Sequence, residues 1–342
     1  MKTVSEILKI TNPTLLFTGN IVDATSEYKQ FAKQYHPDLN KNPNANKVFI
    51  HIKQLYESAI VMLNNGTWDI PGILLIKAKY TTSAYKIKYY VAHKFELGDM
   101  YIGNSIICYL INSKYKKYFY NMTEKLHNIK YKDKKIKDEF EVLMLNFNQS
   151  FDTIDNRIGI IINKPKNLLF LKDVLKYYNN SMHPRHVAWI LSCLYNLNCF
   201  FSLNKLSHND ISIDTCFISP ETHSVFILGG WFYSTYFKDK LIGIPKNIFN
   251  IIPPDIKIHK QGNSAIDLES IKLLGRTLLG DSTGVKLNKL HNNIDPLIMW
   301  LRLPSKRNSI KDYQLYEKVL TDTFGAKKFI HMDLNVEKLY NL

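Results

Sequence analysis

The sequence predicts an α+β protein: a helical hairpin, then a strand-rich stretch, then a longer helix-rich one. Three observations carry this. Tyr28, Phe31, Ala32 and Tyr35 fall at helical spacing, and so do Val48, Phe49, Ile52, Leu55, Tyr56 and Ala59. Residues 80–122 are rich in Tyr, Ile, Val and Phe and are cut by turns such as Asn112-Ser113-Lys114, which is strand composition. From Leu168 onward helical spacing dominates.

The elements follow in chain order. Pro37 ends the first helix of the hairpin, because it lacks an N–H and disfavours a helical residue before it. A polar loop, Leu39 to Ala45, leads to a second helix starting near Asn46. Two helices joined by a short polar loop form an antiparallel pair. The segment Gly66 to Gly72 (GTWDIPG) holds two glycines and a proline and sets the expected boundary between a helical domain, 1–66, and a second domain, 67–342. Strands are expected at Tyr85 to Leu97, Ser105 to Ile111, Tyr115 to Met122 and Arg157 to Ile162, and a helix at Lys134 to Leu145. The second domain thus divides into a strand-rich lobe, about 80–165, and a helical lobe, about 166–342.

The 342 residues suffice for one large domain or two ordinary ones. Hydrophobic residues at 45% and charged residues at 22% are a globular composition. The net charge of +15 favours an acidic or phosphate-bearing partner, although a Lys-rich surface gives the same total without clustering. Cys108, Cys193, Cys199 and Cys216 form no CxxC pair and the histidines lack zinc spacing, so no metal site is expected. Idle thiols suit a reducing compartment, and a cytoplasmic location is expected. Met1 to Ile10 carries Glu6 and two lysines and does not read as a signal peptide. The most apolar window, Ala188 to Leu203, is interrupted by Ser192, Asn196 and Asn198. At about sixteen residues it reads as a core helix too short and too polar to span a bilayer, so no membrane partner is expected.

The most specific segment is Glu27 to Asp38 (EYKQFAKQYHPD). Lys29 and Lys33 sit four apart, on a face other than the apolar one, and His36-Pro37-Asp38 follows at the helix end. With the loop and with Phe49, Ile52 and Tyr56 of the next helix, this segment resembles the J-domain family, the co-chaperones of DnaK-type proteins. The resemblance implies that His36, Pro37 and Asp38 trigger ATP hydrolysis on the chaperone and that Lys29 and Lys33 dock its acidic surface. The first helix departs from the family pattern, with Asn12 to Gly19 (NPTLLFTG) where that helix leads into its turn.

The second informative segment is Leu206 to Phe217 (LSHNDISIDTCF), preceded by a helix, Pro184 to Leu203, and followed by short apolar strands, Cys216 to Ile218 and Val225 to Leu228. It resembles the catalytic loop of protein kinases, in which an Asp orients the substrate hydroxyl. The resemblance gives Asp210 that role and makes His208 the structural histidine. Where the family places its metal-binding Asn this chain has Thr215, and where it places its metal-binding Asp this chain has Leu228. Leucine cannot ligate magnesium, which takes oxygen ligands. Gly98 and Gly103, in a stretch expected between two strands, match two of the three glycines of the phosphate-covering loop. The phosphate-binding lysine belongs near the end of the next strand, expected at Lys116 to Met122, where the count reaches Tyr120, with Asn121 beside it, Lys117 earlier and Lys125 later. Glu139 or Glu141 is either the partner of that lysine or a solvated helix charge. Ile252 to Asp255 (IPPD) resembles the end of the activation segment, and Ala265 to Gly275 resembles the buried helix whose Asp, here Asp267, holds the catalytic-loop backbone. The kinase resemblance covers about 80–320 and implies a bilobal fold.

Together the resemblances imply a co-chaperone and adaptor that recruits and stimulates a DnaK-type chaperone. Its pseudokinase domain, with no cofactor, serves as a scaffold for a protein client. One alternative is an atypical protein kinase or phosphotransferase that uses Asp210 with ATP and magnesium. A second is a basic nucleic-acid-associated protein, since Lys125 to Lys137 (KLHNIKYKDKKIK) is the densest basic run and Tyr131 offers a stacking face among its lysines. Such a run is more often a solvated helix entry, and nucleic acid is not the favoured partner.

Overall fold

In the computed structural model, which describes every residue except 1, 2, 11, 12, 41, 65–67, 71, 81–83, 327, 341 and 342, the chain mixes helix and sheet. It divides into two units, residues 1–113 with 149–161 and residues 114–148 with 162–342. The division groups the helical segment with the strands that follow it, rather than falling near residue 66.

The first unit opens with helix α1 (Val4–Lys9), started by a capping box in which the Glu6 N–H donates to Thr3 Oγ1 and the Thr3 N–H donates to Glu6 Oε2. Helix α2 (Ile21–Tyr35) is capped by Asn20, whose side chain accepts the Asp23 N–H at 2.8 Å. Helix α3 (Ala45–Asn64) returns antiparallel to it. Its Tyr56 stacks on Tyr28 at 4.2 Å and its Phe49 meets His36 at 5.6 Å, so partners late in one helix are early in the other. Ile7, Phe17, Ala24, Val48, Ile52 and Trp68 fill a core of their own among these helices. Trp68, from the stretch expected as a boundary, therefore belongs to the helical core. Gly66, Thr67 and Pro71 lie outside the described residues.

The strands of this unit form two sheets. β1 (Asp69–Ile70), β2 (Ile73–Lys77) and β3 (Ala84–Lys88) make an antiparallel meander. β4 (Val91–Phe95), β5 (Gly98–Ile102), β6 (Ile106–Asn112), β7 (Asn146–Asp152) and β8 (Arg157–Asn163) make a five-stranded sheet in the order β4-β5-β6-β8-β7. The stretch Tyr85 to Leu97, expected as one strand, thus spans two, because the chain turns at Tyr89-Tyr90 and its second half pairs with β5. Leu74, Ile76, Ile87, Cys108, Leu110 and Ile161 form the sheet core.

In the second unit, helix α4 (Lys116–His127) stands where a strand was expected at Tyr115 to Met122. Aromatic content suggested extended chain, but the buried side chains Phe119, Met122 and Lys125 recur every three residues, which is one helix face. Helix α5 (Lys134–Phe140) is followed by a 3₁₀ turn, Glu141–Leu143. After β9 (Leu169–Phe170) and α6 (Leu171–Tyr177), helix α7 (Pro184–Leu203) runs through the interior. It is long and apolar enough to cross a membrane, longer than the sixteen-residue window read from the sequence, and 67% of its most apolar window is buried. Four short strands follow: β10 (Leu206–Ser207), β11 (Cys216–Ser219), β12 (Ser224–Ile227) and β13 (Thr235–Tyr236). Helices α8 (Pro254–His259), α9 (Ser264–Leu278), α10 (Leu287–Leu290), α11 (Asp295–Arg302), α12 (Ser309–Phe324) and α13 (Val336–Tyr340) complete the unit. Tyr195 of α7 packs on Trp300 of α11 and Tyr316 of α12, and the Tyr316 hydroxyl donates to the Ala188 carbonyl at 2.8 Å.

The separate helical core has a measurable consequence. Ile52 is 1% exposed. Ile52→Ala is expected to cost about 2–5 kcal/mol there. Amide hydrogen exchange should show α2 and α3 losing protection while α9 keeps its own. Equal loss in both regions would mean that the two cores open together.

Candidate functional site

Two groups of residues carry chemistry. The first is the turn after α2. His36 is the C-cap of that helix, with φ −60° and ψ 130°, and its carbonyl accepts the N–H groups of Leu39 and Asn40. Asn40 Nδ2 ties the turn to the Gln34 carbonyl at 2.8 Å. The His36 Nδ1 accepts the Asp38 N–H at 3.2 Å. Its side chain is 44% exposed and that of Asp38 85%, so both are presented to solvent on a turn held from within. Pro37 is exposed, as are Lys29 and Lys33 on α2.

The second group surrounds Asp267, fully buried on α9. Its carboxylate accepts the backbone N–H of His208 at 2.8 Å and of Asn209 at 2.7 Å. Asn209 has φ +66°, and its side chain bonds the Ser207 hydroxyl and donates to the Tyr233 carbonyl at 2.8 Å. His208 Nε2 donates to the Gly229 carbonyl at 2.9 Å while its Nδ1 accepts the Asp210 N–H at 3.3 Å, which fixes the tautomer. Gly230 has φ +78°, and a Cβ there would lie 2.6 Å from His208 Cε1. Burial pushes the His208 imidazole down to about 3, against the Gly229 carbonyl, so the ring is neutral. Burial also pushes Asp267 up to about 7, against its two N–H donors.

Around this frame the loop's other side chains are engaged within the protein. Asp210 is 8% exposed, and Asn247 Nδ2 donates to its carboxylate at 3.4 Å. The Thr215 hydroxyl donates to the Asp210 carbonyl at 2.6 Å and accepts the Ser212 N–H at 3.0 Å, which closes the loop on itself. Leu228 is fully buried. Asp214, the acid nearest Thr215, pairs with Lys172 at 2.6 Å. Among the described residues no group of three or more His, Cys, Asp or Glu side chains is placed to hold a metal.

Several expected placements are corrected. Gly98 and Gly103 do not frame a loop between strands, for the residues between them form β5. A Cβ on Gly98 would lie 2.0 Å from the Leu110 carbonyl oxygen, and one on Gly103 would lie 2.4 Å from that of Lys88. Both glycines therefore serve close backbone approach. The strand after β5 is β6, which contains no lysine. Tyr120 instead lies exposed on α4, a helix rather than a strand. Lys125 is buried between Glu124, at 2.9 Å, and the Tyr236 ring, at 4.4 Å. Glu139 is exposed, and Glu141, also exposed, pairs with Lys137 at 3.6 Å. The sequence reading missed Arg307, which makes a two-pronged pair with Asp255 at 2.7 and 2.9 Å. No spacing signal links residues so far apart. No protein-family model matches the chain, and no curated protein matches it.

The buried His208–Asp267 couple has a pH signature. Between about pH 4 and 6.5 the unfolded pair holds its one proton on His208, and the folded pair holds it on Asp267. The couple therefore leaves stability nearly flat in that range. Asp267→Asn keeps a neutral buried histidine alone, so stability should fall as pH drops below 6.5, relative to wild type, by about 1.4 kcal/mol per pH unit. His208→Gln should do the reverse and lose stability as pH rises from about 4 to 7. Denaturant midpoints measured across this range check both slopes, and variants that run parallel to wild type would reject the two shifts.

Proposed function

We propose that the chain is a J-domain-like co-chaperone and adaptor: its helical hairpin recruits and stimulates a DnaK-type chaperone, and the remainder, residues 67–342, kinase-like but without phosphotransfer, is the scaffold for a client. The observation that carries the reading is the solvent-presented His36-Pro37-Asp38 turn at the junction of two antiparallel helices, with exposed Lys29 and Lys33 along the first of them. The pair of lysines suits an acidic partner surface, which raises association rates more than it holds the complex.

The inactive scaffold is favoured by three positions taken together. Thr215 gives its hydroxyl to the loop backbone, Leu228 is in the core, and no lysine stands on β6. Phosphoryl transfer depends on positioning and on neutralising the charge of the triphosphate. Asp210 alone orients a hydroxyl and neutralises nothing. Asp267 and His208 meanwhile keep a structural role that needs no nucleotide.

Stimulation of a DnaK-type chaperone from the native host tests the first half. The full chain should accelerate its ATP hydrolysis, and His36→Gln should return the rate to the unstimulated value with an unchanged circular dichroism spectrum. Lys29→Glu with Lys33→Glu should slow association about tenfold at low salt, and added salt should reproduce the effect in wild type. Equal stimulation by wild type and His36→Gln would remove the chaperone reading.

Calorimetric titration with magnesium and ATP tests the second half. No heat of binding is expected, and Asp210→Ala should leave client binding intact. Micromolar binding lost in Asp214→Ala would promote the atypical phosphotransferase instead.

A further inference from the structure

We propose that the groove between the α4–α5 connection and the last turn of α7 is the client site of the larger unit, and that its ligand is an acidic, amphipathic peptide. The groove encloses about 990 Å³. Its floor is aromatic: Phe140 stacks on Phe200 at 4.4 Å, and Tyr131 stacks on the same ring at 5.6 Å. At its lip Leu203 is 77% exposed, an apolar side chain at the end of a helix otherwise given to the core. Lys130, Lys132 and Lys205 line it with exposed side chains; of the acids, Glu139 lines it and Glu141, Glu124 and Asp239 lie near its Tyr131 and Tyr236. The rim backbone is held in place, since the Lys130 N–H donates to Asn204 Oδ1 at 2.8 Å. An ordered rim lowers the entropic cost of closing on a ligand.

Charge and apolarity together select the ligand. Leucine or phenylalanine side chains entering the groove remove Leu203 and the half-buried Tyr131 from water, and carboxylates spaced between them meet the three lysines. Single-stranded nucleic acid would use the same cations but needs free ring faces on which to stack bases. Here one face of Tyr131 lies against Phe200, and Lys125 covers the Tyr236 ring. The apolar floor therefore favours peptide side chains over bases.

This inference rests on the adaptor reading only in calling the peptide a client, and the two can fail separately. The experiment uses the full chain and fluorescence anisotropy with a labelled peptide alternating Glu with Leu and Phe, the same peptide with Lys for Glu, and oligo(dT). The acidic peptide should bind in the micromolar range, more weakly as salt is added, and the lysine peptide should not. Lys130→Glu with Lys132→Glu should weaken binding about tenfold or more, and Leu203→Asp should do the same. These side chains are exposed, so the fold should be unaffected, as circular dichroism would check. His36→Gln should bind the acidic peptide like wild type. A wild-type chain that binds the peptide but does not stimulate the chaperone would remove the adaptor reading and leave the groove. Equal binding of the acidic and basic peptides, or no effect of the lysine and leucine substitutions, would overturn the groove. Displacement of the acidic peptide by tighter-binding oligo(dT) would overturn it in favour of a nucleic-acid surface.

Discussion

The Asp267 carboxylate, held in the interior by the N–H groups of His208 and Asn209, is the interaction on which the architecture of the larger unit turns. It fixes two successive peptide groups of a loop that belongs to neither helix nor sheet. With those groups set, Asn209 is kept at φ +66° and its side chain reaches the Tyr233 carbonyl. His208 is aimed at the Gly229 carbonyl, and the positive φ of Gly230 lets the chain pass against the imidazole. One buried acid thus determines where the β12 end and the following turn lie. Leaving its donors unpaired would cost on the order of 1–3 kcal/mol for each buried N–H.

A loop so constrained does not need a ligand to hold its shape. Thr215 bonds to the loop's own carbonyl and N–H groups, and Leu228 is packed in the core next to Gly229. The same preference for internal satisfaction appears at Lys125, buried against a carboxylate and an aromatic ring, and at Lys272, whose ammonium donates to the carbonyls of Trp300 and Leu303 at 2.9 Å each. Other lysines stay at the surface, among them Lys29 and Lys33 on α2 and Lys130 and Lys132 between α4 and α5.

Much of the secondary structure was legible. The stripes of α2 and α3, the helix at Pro184–Leu203 and the stretch around Asp267 all repeat their apolar residues within a turn or two. Where composition was weighed above spacing, the reading failed. Tyr115 to Met122 is aromatic-rich, yet Phe119 and Met122 are three apart and mark the buried face of α4. That error displaced the expected lysine position onto Tyr120. Gly98 and Gly103 look like loop residues by type, whereas they serve two backbones that approach too closely for a Cβ.

The sequence by itself determined the local facts: that the long stretches around α2, α3, α7 and α9 are helical, that His36, Pro37 and Asp38 end a helix, and that Leu228 lacks the oxygen atoms magnesium takes. Helical periodicity shows itself within seven residues or so, and the functional groups of a side chain are a property of its type. Only the tertiary structure decided which residues meet. Asp267 and His208 are 59 residues apart, Arg307 and Asp255 are 52 apart, and the Lys130 N–H reaches Asn204 across 74. Such contacts follow from how the elements pack around a common core, and packing is set by all the buried side chains at once. No local pattern records it, so the groove with Leu203 at its lip and the burial of Lys125 emerge only when the chain is folded.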